Sequence, residues 1–314
     1  MVFMKSRKRI PFIALLAGLF ILFIVAACTT KPTTLAGGGA FIGGTEGIVA
    51  SFEPLSVKDP ESGFYTIYDT EDFSLDVLLK NKGEETVPLG KATVRLLGPA
   101  PTLFQNIPAW QLFNKQAVDK ISEFNPEGGE EIISFTTSGA RAKYTGPVTG
   151  FTDLTWNAEY WYDYKTQVII NEVCFKGDIT EKKVCEVKET KTFSVSGAPI
   201  TVSAVGEDVA GKGIMLLKID VRDAGAGQAT IPGQEFDTRF DQVRYSVDEP
   251  DKWECKSGGR ENEARLTDGI ATINCRLKQP LAGNDLYTKQ VRLTLEYTYK
   301  DLVQEKLRIK ESVK

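Results

Sequence analysis

The chain has 314 residues, 38 Lys and Arg against 42 Asp and Glu, a formal net charge of −4 and no histidine. The missing histidine excludes Ser-His-Asp and Cys-His catalytic machinery and histidine-ligated zinc. An acidic balance with no long basic stretch argues against a nucleic-acid partner and against peripheral binding to anionic lipid.

Lys5, Arg7, Lys8 and Arg9 form a basic head, followed by a 16-residue apolar run from Phe12 to Ala27. As a helix the run spans about 24 Å, short of the roughly 30 Å hydrocarbon core. Small residues then lead into a cysteine, Val25-Ala26-Ala27-Cys28, the order of a secretion signal ending in a lipid-attachment site. Residues 1–27 are therefore expected to be a signal or membrane-anchor segment, with Cys28 lipidated. An uncleaved anchor with its basic end inside, or an ordinary signal cut beside an incidental Cys28, are the alternatives. All three export the remainder to the extracytoplasmic face of the cell membrane, the cell surface. Without the four basic residues of the head, 34 basic residues face 42 acidic ones, a net charge of −8.

Residues 28–44 are rich in Gly and Thr and read as a flexible stalk, with the folded body starting at Thr45. From there the pattern is β almost throughout. Phe73 to Leu79 alternates and ends at the turn Asn81-Lys82-Gly83; Thr93 to Leu97 is stopped by Gly98-Pro99; Glu131 to Thr136 follows Asn125-Pro126-Glu127-Gly128-Gly129. Asp153 to Ile170 is long, aromatic and β-branched, and Val184 to Val195 alternates again. Trp110 to Phe124 keeps no clean helical period and reads as a decorated loop. A second series runs through Ile200 to Val205, Gly213 to Arg222, Gln242 to Val247, Ile270 to Cys275 and Gln290 to Tyr299. In the last, Val291, Leu293, Leu295, Tyr297 and Tyr299 share one face, as one buried side requires. Short strands punctuated by Gly, Pro and Asn predict two tandem Ig-like antiparallel β-sandwich domains, 45–196 and 197–314, joined near Ser196-Gly197. The halves echo each other: Leu79-Lys80-Asn81-Lys82-Gly83 in one and Val221-Arg222-Asp223-Ala224-Gly225 in the other each run a strand into a polar residue and then glycine.

Five cysteines is an odd number, which setting Cys28 aside resolves: the other four form local pairs, Cys174/Cys185 and Cys255/Cys275. In an exported protein these read as disulfides, each worth about 3 kcal/mol on the chain-entropy model. The rival, a metal site, lacks both C-x-x-C spacing and histidine, so no metal and no cofactor is expected.

The ensemble resembles a group of uncharacterised archaeal surface proteins with lipoprotein-like N-termini and Ig-like domains of the CARDB type. The matching residues are Gly44-Thr45-Glu46-Gly47-Ile48, Ile67-Tyr68-Asp69, Leu79-Lys80-Asn81-Lys82-Gly83, Asn125-Pro126-Glu127-Gly128-Gly129 and the Cys174 to Cys185 pair. Trp253-Glu254-Cys255 and Leu266 to Cys275 match in the second half, so the resemblance covers most of residues 44–310. One departure is that the family's first cysteine often sits within its Tyr-rich strand, whereas Tyr160-Trp161-Tyr162-Asp163-Tyr164 lies ten residues before Cys174. The resemblance implies an exported, adhesion-related sandwich protein with no established activity.

Trp156, Tyr160, Trp161, Tyr162 and Tyr164, with Trp110 from the 99–129 loop, form the candidate binding patch; the competing reading makes the strand aromatics core. The loop also carries Phe104, Ile107, Leu112 and Phe113, which either fold over an open end of the sandwich or form an interface. Asp59, Glu61, Asp69, Glu71 and Asp72 offer oxygens to calcium, but without an EF-hand pattern a solvated loop is the stronger reading. The expected function is that of a non-catalytic binding or adhesion module, tethered to the membrane by its N-terminal segment and contacting an envelope protein or glycan. A structural subunit of an envelope complex is the alternative, and a carboxylate-dependent hydrolase the third reading.

Overall fold

The computed structural model describes residues 40–181, 183–187 and 189–313. The expected signal or anchor segment 1–27, Cys28 and most of the 28–44 stalk lie outside the described residues. Among the described residues strand makes up 56% and helix 1%. Among the described residues no helix is long and apolar enough to cross a membrane.

The first half holds β1 (Ile48–Phe52), β2 (Val57–Lys58), β3 (Tyr65–Tyr68), β4 (Asp72–Phe73) and β5 (Asp76–Asn81). It continues with β6 (Ala92–Gly98), β7 (Phe104–Gln105), β8 (Gln111–Phe113), β9 (Glu130–Ser134), β10 (Ala142–Tyr144) and β11 (Phe151–Lys176). After β12 (Phe193–Val195) the second half holds β13 (Ile200–Gly211), β14 (Ile214–Asp223), β15 (Gln228–Thr230), β16 (Asp241–Val247) and β17 (Trp253–Ser257). It ends with β18 (Arg260–Glu261), β19 (Glu263–Leu266), β20 (Ile270–Leu277) and β21 (Leu286–Lys310).

The path of the largest sheet runs β19-β16-β21-β11-β6-β8. It reads alike from either end once β8 is matched with β19, β6 with β16 and β11 with β21. The smaller sheets obey the same plan, β1-β5-β9 in one half and β13-β14-β20 in the other, the latter extended by β17 and β18. The pairings are antiparallel throughout these paths; β3 joins the far end of β21 in parallel. The echo between the two glycine turns is thus one sign of a repeated strand plan.

The two halves are joined through two long strands. β11 has 26 residues and β21 has 25, and they pair along nearly their whole length, from Phe151 opposite Lys310 to Lys176 opposite Leu286. Only the Asn157–Tyr162 stretch of β11 pairs with β6, and only Leu293–Glu296 of β21 pairs with β16. The end of β21 therefore completes the sheet of the first half, and the end of β11 completes that of the second. Gly39–Lys314 accordingly forms one compact unit, and the boundary expected at Ser196-Gly197 lies inside it.

Period-two burial drives this pairing. On β21 Val291, Leu293, Leu295, Tyr297 and Tyr299 are buried, and on β11 Trp156, Ala158, Tyr160, Tyr162, Tyr164, Val168 and Ile170 are buried. Each such apolar side chain contributes roughly 1.5–3 kcal/mol on leaving water, so a one-residue slip of register would be prohibitive. The buried faces meet in one continuous apolar core.

Both disulfides are formed. Cys255 and Cys275 face each other across β17 and β20, and Cys174 at the end of β11 closes onto Cys185. The strand expected over Val184 to Val195 is a correction: only Phe193–Val195 is strand, because the chain before it is occupied by the disulfide loop. In that loop Lys176 Nζ donates to the carbonyls of Glu181 and Cys185, and Lys191 is buried against Glu207 at 2.7 Å. The Glu207 carboxylate also accepts the Cys174 N–H, at 2.9 Å. Burial raises the pKa of Glu207 although Lys191 opposes it; burial also works against the Lys191 ammonium, but hydrogen bonds to Glu189 and Glu207 outweigh it. At the other end of the body, order starts earlier than Thr45. The Glu84 carboxylate accepts the N–H groups of Ile42, Gly43 and Gly197 at 2.9, 2.8 and 2.7 Å, pinning the end of the expected stalk to the body.

Candidate functional site

Where β11 and β21 cross the middle of the molecule, Tyr162 stands opposite Tyr299 and Tyr164 opposite Tyr297. With Tyr160 they form a ladder of five buried tyrosines, with successive ring centroids 5.4–6.4 Å apart. Buried phenols need hydrogen-bond partners, and four of the five have them. Tyr164 donates to Asn81 Oδ1 at 3.0 Å and accepts the Glu85 N–H. Tyr299 donates to Asp223 Oδ1 at 3.1 Å and accepts the Gly227 N–H. Tyr297 shares a hydrogen bond with Thr166 Oγ1 at 3.0 Å, and Tyr160 donates to Asp301 Oδ2 at 3.4 Å. Tyr162, only 1% exposed, has no hydrogen-bond partner among the described residues.

The two glycine turns are built alike around these hydroxyls. Asn81 Oδ1 accepts the Gly83 N–H as well as the Tyr164 hydroxyl, and Asp223 Oδ1 accepts the Gly225 N–H as well as the Tyr299 hydroxyl. A Cβ on Gly83 or Gly225 would overlap the phenol that reaches it, so both turns require glycine for close approach. The halves differ at the polar residue, neutral Asn in one and ionisable Asp in the other. Burial, with the nearby charges of Asp241 and Asp301, pushes the Asp223 carboxyl up to about 6. Burial likewise raises Asp241.

Beside the ladder lies an open cleft of about 660 Å³. The first half contributes Gly44 to Val49, Lys82, Tyr160 and Tyr162; the second contributes Pro199, Ala224 to Ala226, Tyr299 and Asp301. Among the described residues Asp301 and Glu46 are its carboxylates, and Lys82 is the only basic lining residue. Among the described residues neither carboxylate has an ion-pair partner within 4.0 Å. The Tyr162 hydroxyl ends against Gly47, 2.5 Å from where a Cβ on that residue would stand.

The binding patch expected from sequence is corrected by its burial. Trp156, Tyr160, Tyr162 and Tyr164 face the core, and Trp156 packs among Phe73, Phe104 and Trp110. The reason is register: these positions share the inward parity of β11, where Trp156 is covered by Phe73 and Phe104 of the β4-β10-β7 sheet and Tyr164 reaches Asn81 of β5. Trp110 is half-buried on Trp156, so the 99–129 loop folds onto the sandwich through Phe104 and Trp110. Trp161 alone points outward, half-buried, with the Arg95 guanidinium over its ring at 5.3 Å. Around it Arg95 and Lys300 pair with Glu159, and Lys91 pairs with Asp163. The junction cleft was missed because its residues come from four separate loop segments and three strands, β1, β11 and β21; the unusual run of tyrosines was its only signal.

The acidic 59–72 segment is spent locally. Asp59 accepts the Glu61 N–H and the Ser62 hydroxyl, which lowers its pKa; Asp69 accepts the Ser312 N–H; Glu71 accepts the Tyr68 N–H. Among the described residues no group of three or more acidic or cysteine side chains could hold a metal ion.

No protein-family model and no curated protein matches the chain. Among solved structures, the secreted serine protease VesC from Vibrio cholerae aligns with 82% of this chain and 51% of its own length, at 7% identity and a TM-score of 0.19. The chain thus spans about half the length of that protein.

Proposed function

We propose that this protein is a non-catalytic binding or adhesion module of the cell surface, tethered to the membrane by its N-terminal segment and built from two related Ig-like sandwiches. The observation that carries the reading is the junction cleft: an open site of mixed polar and apolar lining that presents the Tyr162 hydroxyl, free of a partner among the described residues, and the Asp301 carboxylate, which has no ion-pair partner among them. Such groups recognise a ligand by hydrogen bonds and charge. Two disulfides and a continuous core make the body rigid, which suits a module that presents a preformed surface. The resemblance to CARDB-type archaeal surface proteins points the same way, toward an envelope protein or glycan as partner.

The test is retention. Full-length protein in detergent, immobilised through a C-terminal tag, is mixed with solubilised cell-envelope fractions, and bound material is identified by mass spectrometry. The expected result is saturable enrichment of one envelope component. Failure to retain any of them over a blank surface overturns the reading.

A further inference from the structure

We propose that the junction cleft captures a basic side chain, lysine or arginine, of a partner protein. The inference rests on the binding-module reading above and names the chemistry of its ligand.

The first argument is charge. The cleft has Asp301 and Glu46 among its lining residues, and Asp223, outside the lining, accepts the hydroxyl of the lining residue Tyr299. Among the described residues Lys82 makes no ion pair with these carboxylates, so the described lining carries an excess of negative charge, two carboxylates against one ammonium. An anionic ligand would be repelled here.

The second argument is independent of charge. The Tyr162 ring is almost completely buried, its side chain lines the cleft, and its hydroxyl makes no hydrogen bond to a described residue, which leaves it free to meet a ligand from the cleft side. A donor group entering the cleft meets both the phenol oxygen and the Asp301 carboxylate among its lining. Both are acceptors, and an ammonium or guanidinium offers several N–H donors at once. Pro199, Ala224, Ala226 and Val49 provide apolar wall for the methylene stem of such a side chain.

The same geometry disfavours the other ligands. A metal ion needs more clustered ligands than the described residues supply. A sugar ring needs an open aromatic face to stack on, and the rings of Tyr160, Tyr162 and Tyr299 are buried against one another.

The experiment is a titration of the ¹⁵N-labelled full-length protein in detergent, followed at the Gly47 and Gly225 amides. The probes are Nα-acetyl-lysine amide, Nα-acetyl-arginine amide, the neutral Nα-acetyl-norleucine amide and methyl glucoside. Saturable shifts are expected with the two basic probes and none with the neutral pair. Asp301→Asn and Tyr162→Phe should each weaken the lysine probe by about tenfold, the usual scale for losing one charged hydrogen bond. Tyr162→Phe should leave the unfolding midpoint unchanged, because the hydroxyl has no partner in the free protein; this separates a ligand contact from a structural one. Equal response to norleucine amide or methyl glucoside, no saturation with either basic probe, or full affinity in Asp301→Asn would overturn the proposal. Envelope capture by a protein whose cleft ignores the basic probes would sink this inference alone. A cleft that takes lysine in a protein retaining no envelope component would sink the broader reading alone.

Discussion

Asp223 and Asn81 occupy the same place in the two halves, and replacing the first by the second tests the comparison directly. In Asp223→Asn the side-chain oxygen remains to accept the Gly225 N–H and the Tyr299 hydroxyl, as Asn81 does for Gly83 and Tyr164. What disappears is a buried negative charge whose pKa is pushed from 3.8 up to about 6 by burial, Asp241 and Asp301. At about 1.4 kcal/mol per unit, a shift of roughly two units corresponds to about 3 kcal/mol. Asp223 is partly open to solvent, and screening reduces this to about 2 kcal/mol. The sign follows from linkage: a raised carboxyl pKa means the folded state disfavours the ionised form. The penalty is full above about pH 6, shrinks as pH falls through that value, and is gone below the unfolded pKa. Asp223→Asn should therefore be about 2 kcal/mol more stable than the parent at about pH 7.5, and well under 1 kcal/mol more stable at about pH 4. Urea unfolding of both proteins, read by tryptophan fluorescence at the two pH values, measures the gap and cancels the titration of every other group. A variant less stable at the higher pH, or a gap that does not change with pH, would refute the reasoning.

Glu207→Gln removes the buried one of the two carboxylates that compensate buried Lys191, the other being half-exposed Glu189, and should cost about 3 kcal/mol, because breaking a buried pair leaves its partner poorly compensated. Chemical denaturation checks it, and an unchanged midpoint would show that Lys191 finds another acceptor. Separating the chain at Ser196-Gly197 should leave residues 40–196 without a cooperative unfolding transition, since Lys300 to Lys310 no longer pair with the first part of β11. Circular dichroism melting of the fragment would reveal any such transition, and a sharp one would show that the first half stands without β21.

Much of the strand content was legible because one-sided burial writes a period of two into the sequence. Val291 to Tyr299 is the clearest case, and the structure buries that face. The length of β21 was less legible: beyond Tyr299 the residues Lys300 to Lys306 bury no alternate side chain fully, yet the strand continues to Lys310 because β11 supplies its hydrogen bonds. Val184 to Val195 alternates just as well and is mostly irregular, since the closure of Cys174 on Cys185 bends the chain there. The tyrosines of β11 show the limit on sites. Alternation places Tyr160, Tyr162 and Tyr164 on one face, but which face is covered depends on partners far away in the chain. The cleft is assembled from Gly47, Lys82, Pro199 and Gly225, and no local spacing reports that these turns meet.

The repeated strand plan explains why the site lies at the junction. Each half closes a small sheet over one long strand, and each long strand overshoots to serve the other half. The overshoot brings the glycine turns of both halves to the same tyrosine ladder, where their hydroxyls need partners. Asn81 and Asp223 satisfy Tyr164 and Tyr299, and Thr166 satisfies Tyr297. Tyr162 is left over because the chain opposite it, at Gly47, brings no side chain. The cleft is thus a consequence of an imperfect repeat: its walls come from both halves and its open hydrogen-bonding position from the one rung the repeat does not fill. A ligand seated there touches both halves at once, so its binding should stabilise the pairing of β11 with β21 by mass action.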